Sequence, residues 1–233
     1  KKYDLIDFDL GVTEVSETVR RRTIYVRPPR ASSGSRYLRP LVSLCLGISQ
    51  PVVSRYLCRK QKRHMEHKIG IFYGSSTGTT QSLAEQIALK TGVSKADTHD
   101  VADAAPDTID GYDCLLLGSS TWGDGDLQDD WYGFLDKIKT RDLSGKTVAL
   151  FGCGDSESYP DTFCNALGTI YEELQPTGCR FVGAYEPQDY AVTDSGVCRD
   201  GKFVGLAVDE LNEDDKTAAR TDRWIEAVKR ELS

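Results

Sequence analysis

The sequence contains one methionine, three histidines and no apolar run approaching the roughly 18 to 20 residues that span a bilayer as a helix. A helical membrane anchor is therefore not expected, and the mean hydropathy of −0.42 agrees. The seven cysteines (Cys45, Cys58, Cys114, Cys153, Cys164, Cys179 and Cys198) include no CxxC pair and no metal-like spacing with the histidines. That pattern favours neither a disulfide framework nor a zinc site, so a reducing compartment is expected and a metal is not. Most of the thiols are expected to be small buried apolar groups. No segment has the basic start, apolar centre and small-residue cleavage site of a secretory signal, and the expected location is cytoplasmic. Acidic side chains are absent from residues 18–65, where twelve Arg and Lys fall. What is present is 39% hydrophobic and 28% charged residues in a chain of 233. That is enough apolar material for one well-filled core and too much for a wholly disordered polyampholyte.

The formal charge of −7 averages two unlike parts. Residues 1–67 hold 14 basic and 6 acidic side chains, whereas residues 68–233 hold 15 and 30. Residues 1–67 are read as a basic leader without a sustained helical or strand period. Arg20, Arg21 and Arg22 stand in a row, Arg59, Lys60, Lys62 and Arg63 lie close together, and serines and prolines are scattered between. Three readings stay open for it. Met65 stands just before the first well-formed strand, where an initiator belongs if translation begins there, so a misplaced upstream start ranks first. An Arg- and Ser-rich organelle-targeting peptide is the second reading, and a basic arm for nucleic acid or anionic lipid the third. Residues 68–233 are read as the working domain.

In that domain, continuous apolar runs predict strands at Ile69–Tyr73, Asp113–Leu117, Thr147–Phe151, Arg180–Ala184 and Phe203–Val208, with a weaker one at Thr98–Val101. Amphipathic segments predict helices at Thr80–Lys90, Leu127–Ile138, Asp161–Leu174 and Lys216–Glu231. The alternation implies an α/β fold, a doubly wound parallel sheet with helices on both faces and right-handed crossovers. Such sheets bind ligands beyond the carboxyl ends of their strands.

Three loops leave those ends. The first, Gly74-Ser75-Ser76-Thr77-Gly78-Thr79-Thr80, sets glycines and five hydroxyls at a helix N-terminus, a cradle for phosphate. It lacks the lysine of a Walker A loop and the GxGxxG spacing, so a single terminal phosphate fits better than a triphosphate or dinucleotide. The bland alternative is that these residues merely cap the helix. The second loop, Ser119-Ser120-Thr121-Trp122-Gly123-Asp124-Gly125-Asp126, carries a Trp with no apolar period to join, which points to stacking on a flat ligand. The third, Gly152-Cys153-Gly154-Asp155-Ser156-Glu157-Ser158-Tyr159-Pro160-Asp161, repeats this with a Tyr.

The set Y-G-S-S-T-G-T-T, S-S-T-W-G-D-G-D-L-Q-D-D-W, F-G-C-G-D-S-E-S-Y-P-D-T-F and G-K-F-V-G-L-A-V-D-E resembles the flavodoxins, in order and spacing, over about 165 residues. The resemblance implies five strands in the order 2-1-3-4-5, a topology that is the family's own. It also implies that the stretch Tyr185–Lys202 is the insertion that splits the last strand in the long-chain type. The glycines Gly196 and Gly201 and the carboxylates Asp189, Asp194 and Asp200 of that stretch are expected to make it an exposed loop. Carried over, the resemblance puts an FMN phosphate on Ser75, Ser76, Thr77, Gly78, Thr79 and Thr80. Ser120 and Thr121 would lie beside the cofactor. Trp122 would cover the inner face of the flavin ring and Tyr159 the outer. Asp155 and the backbone from Cys153 through Gly154 to Tyr159 would border its pyrimidine edge, and Asp161 would lie near the ribityl end. Gly123 takes the position whose peptide turns over on reduction, a turn that a residue without Cβ makes cheap. Cys153 departs from the hydroxyl residue common in that place and is given no redox role.

By the resemblance the protein is not an enzyme but a low-potential one-electron carrier. Asp124, Asp126, Asp129, Asp130, Asp155, Glu157 and Asp161 crowd the ring-side loops, with no Lys or Arg among them. A carboxylate about 10 Å from an anionic reduced ring costs roughly 0.4–1.7 kcal/mol at effective dielectric ~20–80, or some tens of millivolts. The bland alternative is an acidic surface kept for solubility. The same charges imply a monomer with basic-surfaced redox partners, by resemblance a flavin-dependent NADP reductase and acceptor enzymes, and argue against nucleic acid or membrane for this domain. An FMN-dependent NAD(P)H:quinone reductase of the same fold is the rival reading, and a scaffold that has lost FMN the third.

Overall fold

The apolar runs become the central strands of one sheet. In the computed structural model, which describes residues 67–233, β1 (Ile69–Gly74) leads to helix α1 (Thr79–Thr91) and the short edge strand β2 (Thr98–Asp100). The strand β3 (Cys114–Trp122) and the two-residue β4 (Asp126–Leu127) precede α2 (Asp129–Ile138). Next come β5 (Thr147–Cys153), α3 (Asn165–Leu174) and β6 (Arg180–Val182). The chain ends with the hairpin strands β7 (Cys198–Arg199) and β8 (Lys202–Phe203), then β9 (Gly205–Val208) and α4 (Asp214–Leu232). The readings of residues 1–66, including the one resting on Met65, fall outside the described residues. No helix among the described residues is long and apolar enough to cross a membrane.

The long strands lie in the parallel order β2-β1-β3-β5-β6, with β9 also paired to β5. Every residue of β5 is buried, as are all of β1 except Ile69, because each central strand is covered on both faces. Helix α1 packs against α4, and α2 against α3, so the helices pair up over the sheet. Ile71, Phe72, Leu115, Leu116, Leu150 and Phe151 form its middle, each worth about 1.5–3 kcal/mol of burial.

The expected splitting of the last strand is visible in the register. Thr147–Ala149 of β5 pair with Arg180–Val182, and Leu150–Cys153 pair with Gly205–Val208, so β6 and β9 complete one strand position from two pieces. The boundaries differ from expectation for local reasons. Arg180–Ala184 stops at Val182 because Gly183 turns to φ +76°. In Phe203–Val208, Phe203 belongs instead to the β7–β8 hairpin. The helix expected from Asp161 starts at Asn165, after a 3₁₀ turn at Pro160–Thr162 and a left-handed Cys164.

The inserted segment is an exposed loop only in part: Asp194, Asp200 and Gly201 are exposed, but its aromatic residues are not. Tyr185, Tyr190 and Val197 are buried, and Tyr190 packs edge-on to Phe203, just beyond the segment, at 4.8 Å between ring centres. Tyr190 also donates its hydroxyl to Ala207 O (2.7 Å), which ties the segment to β9. Arg220 of α4 lies fully buried over the Tyr190 ring at 3.6 Å and pairs with Glu213 (2.7 Å). It also donates to Asp189 O (2.7 Å) and lies 3.4 Å from the Asp189 carboxylate, so one guanidinium fastens the insertion to α4 through Tyr190 and Asp189. Gly168 of α3 permits the close approach: a Cβ there would stand 2.3 Å from Gly196 O.

Candidate functional site

The three expected loops converge at the carboxyl ends of β1, β3 and β5, which are adjacent in the sheet. At the first, Ser75 Oγ accepts from Gly78 N (3.1 Å), and Gly78, at φ +89°, turns the chain into α1. The first helical hydrogen bond runs from Ser82 N to Gly78 O (2.9 Å), leaving the amides of Thr79, Thr80 and Gln81 without a helical acceptor. The first turn holds no acidic residue. Ser76 and Thr77 are exposed, and Ser75 and Thr79 half-buried, so four hydroxyls border these amides. Thr80 differs. Its side chain is fully buried, and its Oγ1 faces the Cys153 thiol without a hydrogen bond to it. Only its amide is available to an anion. Thr77, Gly78 and Thr79 also border an open groove of about 370 Å³ with Ser82, Leu83, Gln86 and Glu210; neither Trp122 nor Tyr159 lines it.

The second loop is shorter than expected. Residues 119–122 continue β3, and Thr121 and Trp122 pair antiparallel with Leu127 and Asp126. Trp122 is thus the last residue of a strand, closed by the turn Gly123-Asp124-Gly125, in which Gly125 N donates to Trp122 O (3.0 Å). Gly123 sits at φ +50°, a conformation that favours glycine. The Trp122 indole is 44% exposed, yet its Nε1 donates to Ser120 Oγ (2.9 Å), which fixes its orientation. Ser119, itself buried, accepts from Gln128 N (3.3 Å), so the start of α2 and the end of β3 hold each other. Thr121 Oγ1 is shut off from solvent without a partner among the described residues.

In the third loop Cys153 has a buried side chain, as expected for most of the thiols. It is the last residue of β5, and burial pushes its thiol up to about 12. Its side chain belongs to the core. Gly154 N donates to Val208 O (3.0 Å) and closes the strand pair. Asp155 Oδ1 accepts from Ser158 N (2.8 Å), Glu157 N (3.1 Å) and Asn212 Nδ2 (3.0 Å). The bond from Ser158 is the main reason that its carboxyl lies below the usual range. Tyr159 follows, 56% exposed, with its amide on Asp155 O (3.2 Å), and Asp161 lies exposed on the next turn.

Two residues of this site were missed in the sequence. Asp209, fully buried just past β9, accepts from Ser156 N (2.7 Å) and Ser156 Oγ (2.6 Å), and Asn212 bridges Asp209 and Asp155. Burial alone would raise the Asp209 carboxyl, but the hydrogen bonds from Ser156 and Asn212 outweigh it and hold it below its ordinary value. The available signal was the acidic pair Asp209-Glu210 directly after an apolar run.

Of the seven carboxylates expected around the ring, none joins an ion pair among the described residues, whereas Asp189 and Glu213 elsewhere meet arginines. No group of side chains suited to a metal ion occurs among the described residues. The arrangement is therefore a turn of hydroxyls and free amides beside two solvent-exposed aromatic side chains in an acidic rim without cationic partners among the described residues.

Comparisons with known proteins meet the same part of the chain. The profile of the family described as Flavodoxin matches residues 71–224. Flavodoxin 1 of Salmonella typhimurium is 44% identical over 164 residues, covering 70% of this chain and 93% of that protein. Flavodoxin of Nostoc sp. is 41% identical over 168 residues, covering 72% and 99%. A solved structure of Fusobacterium nucleatum flavodoxin bound to flavin mononucleotide superposes with a TM-score of 0.65 at 30% identity, over 71% of this chain and 98% of that one. With the split fifth strand, the hydroxyl-rich cradle and the paired aromatic residues all lying inside the matched span, the chain belongs to the flavodoxin family.

Proposed function

We propose that this protein binds FMN at the three strand-end loops and carries single electrons between a reductase and acceptor redox proteins. The cofactor, when bound, accepts and releases electrons one at a time. The observation that carries the reading is the pairing of a cation-free hydroxyl and amide cradle with two exposed aromatic side chains, Trp122 (44% exposed) and Tyr159 (56% exposed), at adjacent strand ends. The donor set fits a phosphate monoester. Ser75, Ser76, Thr77 and Thr79 offer hydroxyls, and the free amides of α1 favour an anion at the helix N-terminus. Trp122, fixed by Ser120, and Tyr159, carried on the Asp155 turn, offer flat faces for an isoalloxazine and exclude water from it.

The remaining residues set charge and encounter. Asp124, Asp126, Asp129, Asp130, Glu157 and Asp161 are exposed and without a cationic partner, and with Asp155 they oppose negative charge placed between them. The same rim attracts partners with basic surfaces, such as a flavin-dependent NADP reductase, through fast and salt-sensitive encounters. Such contacts are small and transient. Tyr159 over the outer ring face would leave little room for a nicotinamide, which favours the carrier over a quinone reductase.

The test is a potentiometric titration of the full chain loaded with FMN, followed by addition of NADPH with and without a reductase. Two resolved one-electron steps, and reduction by NADPH only through the reductase, are expected. Rapid bleaching by NADPH alone would turn the assignment to the quinone reductase. A protein that takes up no FMN would leave the scaffold reading.

A further inference from the structure

One buried carboxylate at the strand ends meets no cation. Asp209 is fully buried, and no Lys or Arg pairs with it among the described residues. It is satisfied instead by five neutral donors. Its Oδ2 accepts from Ser156 N (2.7 Å), Ser156 Oγ (2.6 Å) and Asn212 Nδ2 (2.9 Å), and its Oδ1 from Leu211 N (3.0 Å) and Asn212 N (3.0 Å). Only a carboxylate has acceptor capacity for such a set, since an amide side chain offers one oxygen and brings its own N–H groups. Two of the donors lie in the loop after β5 and three in the corner between β9 and α4, so the carboxylate joins two segments that are 53 residues apart. Asn212 closes the circuit, because Nδ2 also donates to Asp155 Oδ1 (3.0 Å), the atom that holds the amides of Glu157 and Ser158. The loop carrying Tyr159 is thereby fixed from outside itself, and its other fastening is the local turn.

We propose that Asp209, acting through Ser156 and Asn212, is a positioning residue for the flavin ring: it holds Asp155–Tyr159 in the conformation that presents Tyr159 to the isoalloxazine. This rests on the FMN reading above. Every hydrogen bond of the Asp209 carboxylate and of the Asn212 side chain goes to the Tyr159-bearing loop or to the corner after β9 and none to residues 75–80, so the effect is expected at the ring end.

The experiment compares Asp209→Asn and Asn212→Ala with the unaltered full chain. Asn212 is exposed, so its truncation leaves a folded protein even if Asp209→Asn does not. Dissociation constants for FMN and for riboflavin, the midpoint potentials of the bound flavin and amide exchange at Ser156–Ser158 in the flavin-free protein are measured. Both flavins are expected to weaken by the same factor, about tenfold, with shifted potentials and faster exchange in both variants. Loss confined to FMN, or unchanged affinities and potentials in Asn212→Ala, would overturn the proposal. Failure of the unaltered chain to bind FMN would overturn the cofactor reading and this inference with it, whereas FMN binding that both variants leave intact sinks the positioning role alone.

Discussion

The two ends of the candidate site are built by different means. The cradle at residues 75–80 is local: the hydrogen bond from Gly78 N to Ser75 Oγ, the contact between the Thr77 and Thr79 hydroxyls (3.4 Å) and the free amides of α1 make it within a single turn of chain. The ring end is assembled from distant segments. Trp122 depends on Ser120 and on the β3–β4 pairing, and Tyr159 on Asp155, Asp209 and Asn212. Below it, the insertion holds the following turn, with Ser195 Oγ donating to Phe163 O (2.9 Å). A phosphate needs only amides and hydroxyls at a helix start, which neighbouring residues supply. A flat ring needs two faces set at a fixed spacing, which only separate strands provide.

The contrast predicts which changes travel between the ends. The largest effect is expected for Arg220→Ala, which removes the buried partner of Glu213 and Asp189 and leaves them only the more exposed Lys216 and Arg223. Breaking a buried pair costs about 3–5 kcal/mol, read from urea unfolding of the full chain. An insertion that contributed nothing to the domain would give no change. Next, Ser76→Asp sets a like charge beside the phosphate, about 3–4 kcal/mol at close range and effective dielectric ~20. FMN affinity measured by fluorescence should fall at least about 100-fold while riboflavin affinity holds; an equal loss for both would deny that the cradle is a phosphate site. Smaller again, Tyr159→Ala and Trp122→Ala each remove a stack worth about 0.5–1.5 kcal/mol. They should weaken both flavins up to about tenfold and move the midpoint potentials, and unchanged values in both would refute the aromatic sandwich.

The smallest effect at neutral pH concerns acid. Asp209 and Asp155 are held below the ordinary carboxylate value near 4, so their contribution to stability is present above that value. It is lost as pH falls through their folded values. Unfolding free energy should therefore decline below about pH 5, with a shallower decline in Asp209→Asn. Parallel curves would mean that this carboxylate does not couple to folding.

Much of this was legible in the chain. The apolar runs around Ile71, Leu116 and Leu150 announced buried parallel strands, because a strand covered on both faces needs no polar alternation. The hydroxyl-rich turn of residues 75–80 was equally legible, because its geometry is fixed by neighbours in sequence. Thr80 and Cys153 show the limit of that reading: their side chains are buried at positions where the motif alone does not tell inside from outside. The insertion, with two glycines and three carboxylates, read as a loop, yet Tyr185 and Tyr190 bury themselves once Arg220 and β9 are alongside.

The sequence by itself thus determined the α/β sheet, its order of elements and the hydroxyl-rich turn into α1, all of which follow from periodicity and from contacts within a few residues. Only the tertiary structure decided that Asp209 and Asn212 hold the Tyr159 loop, that Ser120 steers Trp122 and that the insertion is clamped by Arg220. Hydrogen bonds between segments 31 or 53 residues apart leave no local pattern, because each partner is chosen by the fold that brings it near.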